Sequence, residues 1–289
     1  MKSLFWLTAA LVLLVRPVVA APPAGDDAGY RQLIARDDAL MQDIRETSGH
    51  RPWLERAMLT ARLKRLDADY QSFLESHPGF APAMVAYGGF LSDTGRAPQA
   101  ITWWEKAIRT DPGCARAYND LGAEFADDGR AAEALRLHQK AYELDPADPL
   151  YHFNWATTCI LFRQDAHDVY GWDEDGIFRH SLEQFRIARD LAPRDFEYAS
   201  AYAESFFMMK QPDWQEAHEA WVYCLRQPLE PVQQQRVYAQ LARVCLHQAR
   251  FDEAREWTEK LDAPEFQPMR RALEHRLAAA TSPVAPSRP

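Results

Sequence analysis

The densest run of side chains able to hold a cation or move a proton lies between residues 164 and 176, reading Gln-Asp-Ala-His-Asp-Val-Tyr-Gly-Trp-Asp-Glu-Asp-Gly. His167, Asp168, Asp173 and Asp175 offer one imidazole and three carboxylates. The Asp173-x-Asp175-Gly176 portion resembles a fragment of a calcium loop, which needs about six to eight oxygens in set positions. Gly171 stands where the first aspartate of such a loop belongs, and Leu182 where its closing glutamate belongs. The segment therefore does not supply a calcium shell. Tyr170 and Trp172 in the same run allow two readings. They are rings tucked onto neighbouring helices from a solvated loop, or a partner-contact loop, because aromatics favour interfaces.

Elsewhere the chemistry-bearing patterns are missing. Gly-x-Ser-x-Gly, Cys-x-x-Cys, His-Glu-x-x-His and the phosphate-cradling Gly loop do not occur. The four cysteines do not pair convincingly. Cys224 and Cys245 should sit on consecutive antiparallel helices, offset by roughly 13 Å along the axis at the helical rise per residue. A bridge needs Cα atoms within about 7 Å. Small core residues with free thiols are the better account. The chain reads as a non-enzyme with no catalytic residue, no metal and no cofactor. The alternative is a metal- or small-ligand-binding protein or enzyme using the insertion at 163–176.

What positions these residues is helical. The sequence is 47% hydrophobic and 26% charged, and Ala, Leu, Glu, Arg and Gln dominate over its 12 glycines. Straight-chain residues lose little rotamer freedom in a helix, and no window shows the period-two alternation of a strand. The first twenty residues stand apart. Lys2 precedes an apolar run from Leu4 to Val15, Arg16-Pro17 breaks it, and Val18-Val19-Ala20 has a small-x-small ending. This is the pattern of a cleaved export leader over 1–20, with 21–27 as linker, which places the product in the periplasm or outside the cell. Without Lys2 and Arg16 the formal net charge moves from −9 to −11. An acidic chain lacks the long-range attraction that nucleic-acid binding uses, so no nucleic-acid partner is expected. After cleavage no stable membrane insertion is expected either.

Internal spacing sets the architecture. With Ala115 as position 1 of a 34-residue unit, Tyr118, Leu121, Gly122, Phe125, Gly129, Ala134, Ala141 and Pro146 follow. One period earlier the same offsets carry Met84, Tyr87, Gly88, Leu91, Gly95, Ala100, Ala107 and Pro112. Each unit reads as a helical hairpin. Small residues such as Gly88 and Ala100 mark where two backbones meet, glycine marks the turn, and proline ends the second helix because it costs about 3 kcal/mol inside one. The stretch Ala115–Pro146 resembles the tetratricopeptide repeat closely, with His138 where that family usually has a bulky apolar side chain. Looser units follow near 149, 196 and 235. Trp103, Trp104, Trp155, Trp214, Trp221 and Trp257 fall mostly on packing offsets.

The expected fold is an all-α superhelix of antiparallel helix pairs. Residues 28–77 form an N-terminal cap or degenerate repeat, 78–262 the solenoid with its insertion at about 163–175, 263–280 a capping helix, and 281–289 a disordered tail. The resemblance implies a protein-binding scaffold whose first helices line a concave groove for a partner peptide or helix. Carried over by offset, the groove residues are Asn119, Asp127, Phe153, Thr157, Ile160, Ser200, Glu204, Phe207 and Arg243. Phe153, Ile160 and Phe207 would anchor the partner, and the acidic rim would favour basic ones. The lysine and asparagine pattern with which some family members grip a C-terminal carboxylate is lacking. Self-association through the N-terminal helices is a further expectation.

Overall fold

A computed structural model describes residues 28–46 and 53–281. The leader at 1–20, the linker at 21–27 and the tail beyond Thr281 lie outside the described residues. Among those described there is no strand, and fourteen α-helices follow one another. The chain divides after Pro146 into two compact units. No helix among the described residues is long and apolar enough to cross a membrane.

The first unit contains three helix pairs: α1 (Ala28–Glu46) with α2 (Trp53–Ser76), α3 (Ala81–Asp93) with α4 (Ala97–Thr110), and α5 (Ala115–Asp127) with α6 (Ala131–Leu144). Three-residue links reverse the chain between α3 and α4 and between α5 and α6, so each pair is antiparallel. Gly95 and Gly129 make both reversals at φ +77° and +76°. There Arg96 N–H donates to the Leu91 carbonyl at 2.8 Å and Arg130 N–H to the Phe125 carbonyl at 2.7 Å. These bonds satisfy carbonyls that the helix end leaves open, as glycine-dependent helix ends generally do.

Between the helices of a pair, glycine acts as a notch. A side chain on Gly88 would meet Trp104 Nε1 at 2.5 Å, and one on Gly122 would meet His138 Cδ2 at 2.6 Å. Ala100 and Ala134 are fully buried on the facing helices, but the group that enters each notch is the ring sixteen residues after the glycine. Trp104 Nε1 then donates to the Val85 carbonyl at 3.1 Å. The N-terminal pair is fastened differently, by polar ties. Tyr70 donates to Asp37 and Arg36 pairs with Asp69, while Tyr87 of α3 donates to Asp67 of α2 at 2.7 Å and ties the next pair to it.

The second unit contains α7 (Pro149–Leu161), α8 (Arg163–Tyr170), α9 (Glu174–Leu191), α10 (Phe196–Ser205), α11 (Trp214–Leu225), α12 (Pro231–His247), α13 (Phe251–Glu259) and α14 (Gln267–Thr281). The pairs are α7 with α9, α10 with α11 and α12 with α13. The run expected as a loop at 163–175 is mostly the two-turn helix α8. Gly171 stops it at φ +71°, and the Asp173 carboxylate starts α9 by accepting from Gly176 N–H at 2.8 Å. A left-handed glycine followed by an aspartate N-cap is a stop and a start signal, and those two residues outweigh the polar composition. All four cysteines are free thiols, three of them buried.

The turn from α12 to α13 repeats the geometry of Gly95 and Gly129 without glycine. Ala249 holds φ +57°, a conformation that crowds an L side chain against the following carbonyl at roughly 1 kcal/mol or more. Ala249→Gly removes that strain but adds freedom to the unfolded chain. A net gain of about 0.5 kcal/mol is expected, read as a higher urea midpoint. An unchanged or lower midpoint would show that the turn is unstrained.

Candidate partner-binding face

In the second unit the first helices of successive pairs touch through their side chains. Phe153 on α7 lies 5.2 Å from Tyr198 on α10, ring centre to ring centre. From α10 the row continues to α12. Gln240 Nε2 donates to Glu204 Oε2 at 3.0 Å, and Arg243 Nη1 donates to Gln240 Oε1 at 2.5 Å. The Arg243 guanidinium stands 4.0 Å from Glu204 Oε1 and 4.0 Å above the Phe207 ring. Beyond it Trp214 and His247 stack at 4.0 Å and 9°, with Phe207 5.5 Å from Trp214. Glu204, Phe207 and Arg243 thus form one patch with a charged centre and an aromatic floor.

The remaining groove candidates separate from that patch. Asn119, Ile160 and Ser200 are buried, so none offers a partner its side chain. Asn119 Nδ2 donates to Asp120, and Ser200 Oγ donates to the carbonyl of Glu197 one turn back. Offset arithmetic places a residue on a helix face and does not report how deeply its side chain is buried. Asp127 is exposed at the end of α5 in the first unit. Phe153 is half-buried between Phe185 and Tyr198, and Thr157 is half-buried one turn along.

The insertion does not gather its acids and histidine into a ligand set. His167 Nδ1 lies 2.7 Å from the Trp172 carbonyl, Asp168 accepts from Gln164, Asp173 caps α9, and Asp175 faces Arg179 at 3.9 Å. Tyr170 and Trp172 are spent on packing. Trp155 Nε1 donates to the Tyr170 hydroxyl at 2.9 Å, Tyr170 stacks on Trp172 at 4.5 Å, and Trp172 stacks on His180 at 3.8 Å. A ring held on both faces is poorly placed to grip a partner.

No family model matches the sequence, and no curated protein matches it. Solved structures do. The chain superimposes on YrrB, described as a TPR protein with an unusual peptide-binding site, with a TM-score of 0.56 and 16% identity over 71% of this chain and 96% of that one. PilF of Pseudomonas aeruginosa matches with a TM-score of 0.56 and 16% identity over 84% of this chain and 99% of that one. The fold is the tetratricopeptide repeat.

Tetratricopeptide offsets identify some of what was missed around the patch. His247 sits at the thirteenth position of the unit that begins at Gln235, the offset that gave Asp127, and was readable from the sequence, while Arg236 sits at its second position. Gln240 and Trp214 lie off those positions. Arg276 comes from α14, outside the repeat, and nothing in its spacing announces it. Together these residues make the patch cationic inside an acidic protein. Burial lowers the Arg243 pKa against the pull of Glu204, and Arg276 lowers it further. Burial and then Arg276 and Arg243 hold the His247 imidazole below its ordinary range. Burial raises the Glu204 carboxyl, opposed by Arg236 and Arg243. Arg236 and Arg243 act on the Glu204 carboxylate, Arg236 also acts on Glu197, and Arg276 adds a third guanidinium beside Arg243 and His247.

Proposed function

We propose that this chain is a non-catalytic protein-interaction scaffold that docks an extended peptide or a partner helix on the first-helix face of its second unit. The observation that carries the reading is Arg243. Its guanidinium is about one quarter exposed, at 26%, stands over the Phe207 ring, and is too far from Glu204 for a close ion pair. Partly desolvated guanidinium on an aromatic floor is the typical make-up of an interface hot spot. The chemistry it fits is an acidic side chain beside an apolar one, the carboxylate meeting Arg243, Arg236 and Arg276 and the apolar group meeting Phe207. That local charge reverses the expectation drawn from net charge alone, under which basic partners would be favoured. Stacked repeats suit such a role because each contacts only its neighbours and leaves a long face open. The peptide-binding site described for YrrB supports the same use of the fold. The leader-like pattern from Lys2 to Ala20 is what supports our proposal that this work is done in the periplasm or outside the cell.

A random peptide library panned on the purified chain tests it. Enriched sequences are expected to pair Asp or Glu with an aromatic or aliphatic residue. Arg243→Glu and Phe207→Ala are each expected to weaken a selected peptide by roughly tenfold or more, the loss of a hot-spot side chain. Undiminished affinity in both variants, or enrichment of basic peptides that ignore Arg243, would overturn the assignment.

A further inference from the structure

A second cluster lies where the last pairs of the second unit meet. His218 on α11, Cys245 on α12 and Glu253 on α13 bring one imidazole nitrogen, one sulfur and one carboxylate oxygen within 4.8 Å of one another. Two features separate it from an ordinary packing contact. His218 Nε2 is buried with no hydrogen-bond partner among the described residues, although leaving a buried polar atom without a partner is costly. His218 also lines an open cleft of about 570 Å³ with Arg189, Tyr202, Glu216 and Tyr223, so an ion has a route in.

We propose that His218, Cys245 and Glu253 form a three-ligand site for a borderline-soft divalent cation of the zinc class. The mixed nitrogen, sulfur and oxygen donor set selects such an ion over calcium or magnesium, which take oxygen alone. Around a tetrahedral zinc, neighbouring ligand atoms lie about 3.5 Å apart, so closing the site needs side-chain movements of roughly one ångström. The charges balance. Binding expels the thiol proton of Cys245, and the divalent ion with one thiolate, one carboxylate and one neutral imidazole is a neutral assembly. Three protein ligands leave a fourth tetrahedral position for water or a partner's ligand.

Charged neighbours act in both directions. Arg250 donates to both carboxylate oxygens of Glu253 and acts electrostatically on His218 and Cys245, as Glu219 does on His218. One oxygen of Glu253 can turn to the metal while the other keeps Arg250. The salt bridge at stake is partly exposed and therefore weak, small against zinc coordination. Zinc takes the neutral imidazole and the thiolate, so its uptake is expected to release the Cys245 thiol proton and to weaken on acidification.

The full chain, stripped with chelator, is titrated with cobalt(II) as spectroscopic probe and with zinc against a chromophoric indicator. One equivalent is expected to bind, with a thiolate-to-cobalt charge-transfer band, a tetrahedral visible spectrum, and a higher unfolding temperature with zinc. Cys245→Ser should erase the charge-transfer band, and His218→Phe should weaken zinc binding roughly tenfold or more while preserving the helical circular dichroism spectrum. His218→Phe is the safer variant because His218 is only half-buried. No charge-transfer band in the unaltered chain, or unchanged zinc affinity in His218→Phe, would overturn the proposal and assign any bound ion to surface carboxylates.

Discussion

Acidification from pH 7 to pH 4 is expected to strip about 3 kcal/mol from the α5–α6 pair, and His138→Leu is expected to abolish that loss. His138 is buried at 1% exposure in the notch opposite Gly122. Burial lowers its pKa from 6.5 to about 4, against a contact with the Asn119 backbone that works the other way. Between those two values the unfolded chain binds a proton that the folded chain refuses. Stability is therefore fully present above pH 6.5 and drains away as the pH falls toward 4. Leucine has no proton to take up and suits a slot that holds Trp104 in the preceding repeat. Hydrogen exchange of α5 and α6 peptides at both pH values provides the measurement, with the His138→Leu protein as reference. His218 and His247 are also lowered by burial, but they are partly open and belong to the second unit. The difference between the two proteins therefore isolates His138. Equal acid loss in both would show that His138 is not the group that titrates.

The second large effect comes from substituting two glycines by the same residue. Gly88→Asn is expected to cost about 3 kcal/mol, the upper range for overfilling a packed core, whereas Gly95→Asn should cost about 0.5 kcal/mol or less. At Gly88 the obstacle is space. Its missing side chain is occupied by Trp104, itself 1% exposed and held by its bond to Val85. The indole has nowhere to retreat without giving up that bond. At Gly95 there is room, since nothing lies within 4 Å of an added Cβ, and the constraint is the left-handed backbone, which asparagine tolerates. Urea midpoints of the two variants decide the matter, and similar midpoints would dismiss the notch. A further check lies in non-additivity. Gly88→Ala should cost far less in a Trp104→Ala background than alone, because the side chain it strikes is gone.

The repeats of the first unit were legible because each residue type answers to a single local requirement. Gly95 and Gly129 are needed by a left-handed turn, Gly88 and Gly122 by a close approach, and the period of 34 aligns them. The second unit was legible only in part. The repeat spacing located the unit near 149, but the polar run at 163–175 hid α8, whose evidence was the stop at Gly171 and the start of α9 at Asp173 rather than a periodic stripe. The binding face was the least legible. Offsets placed Glu204, Phe207 and Arg243 on one face, and the same arithmetic placed Ile160 and Ser200 there although both are buried.

What the sequence determined alone is the local code: helix period, turn glycines, terminal prolines, and hence the tetratricopeptide hairpin. These follow from backbone sterics and side-chain entropy, which act within a few residues. The tertiary structure decided which charges meet. Arg276 reaches Arg243 and His247 from beyond the last repeat, and His218, Cys245 and Glu253 converge from three helices. Such encounters depend on how one helix leans on the next, and contacts between residues distant in the sequence decide that.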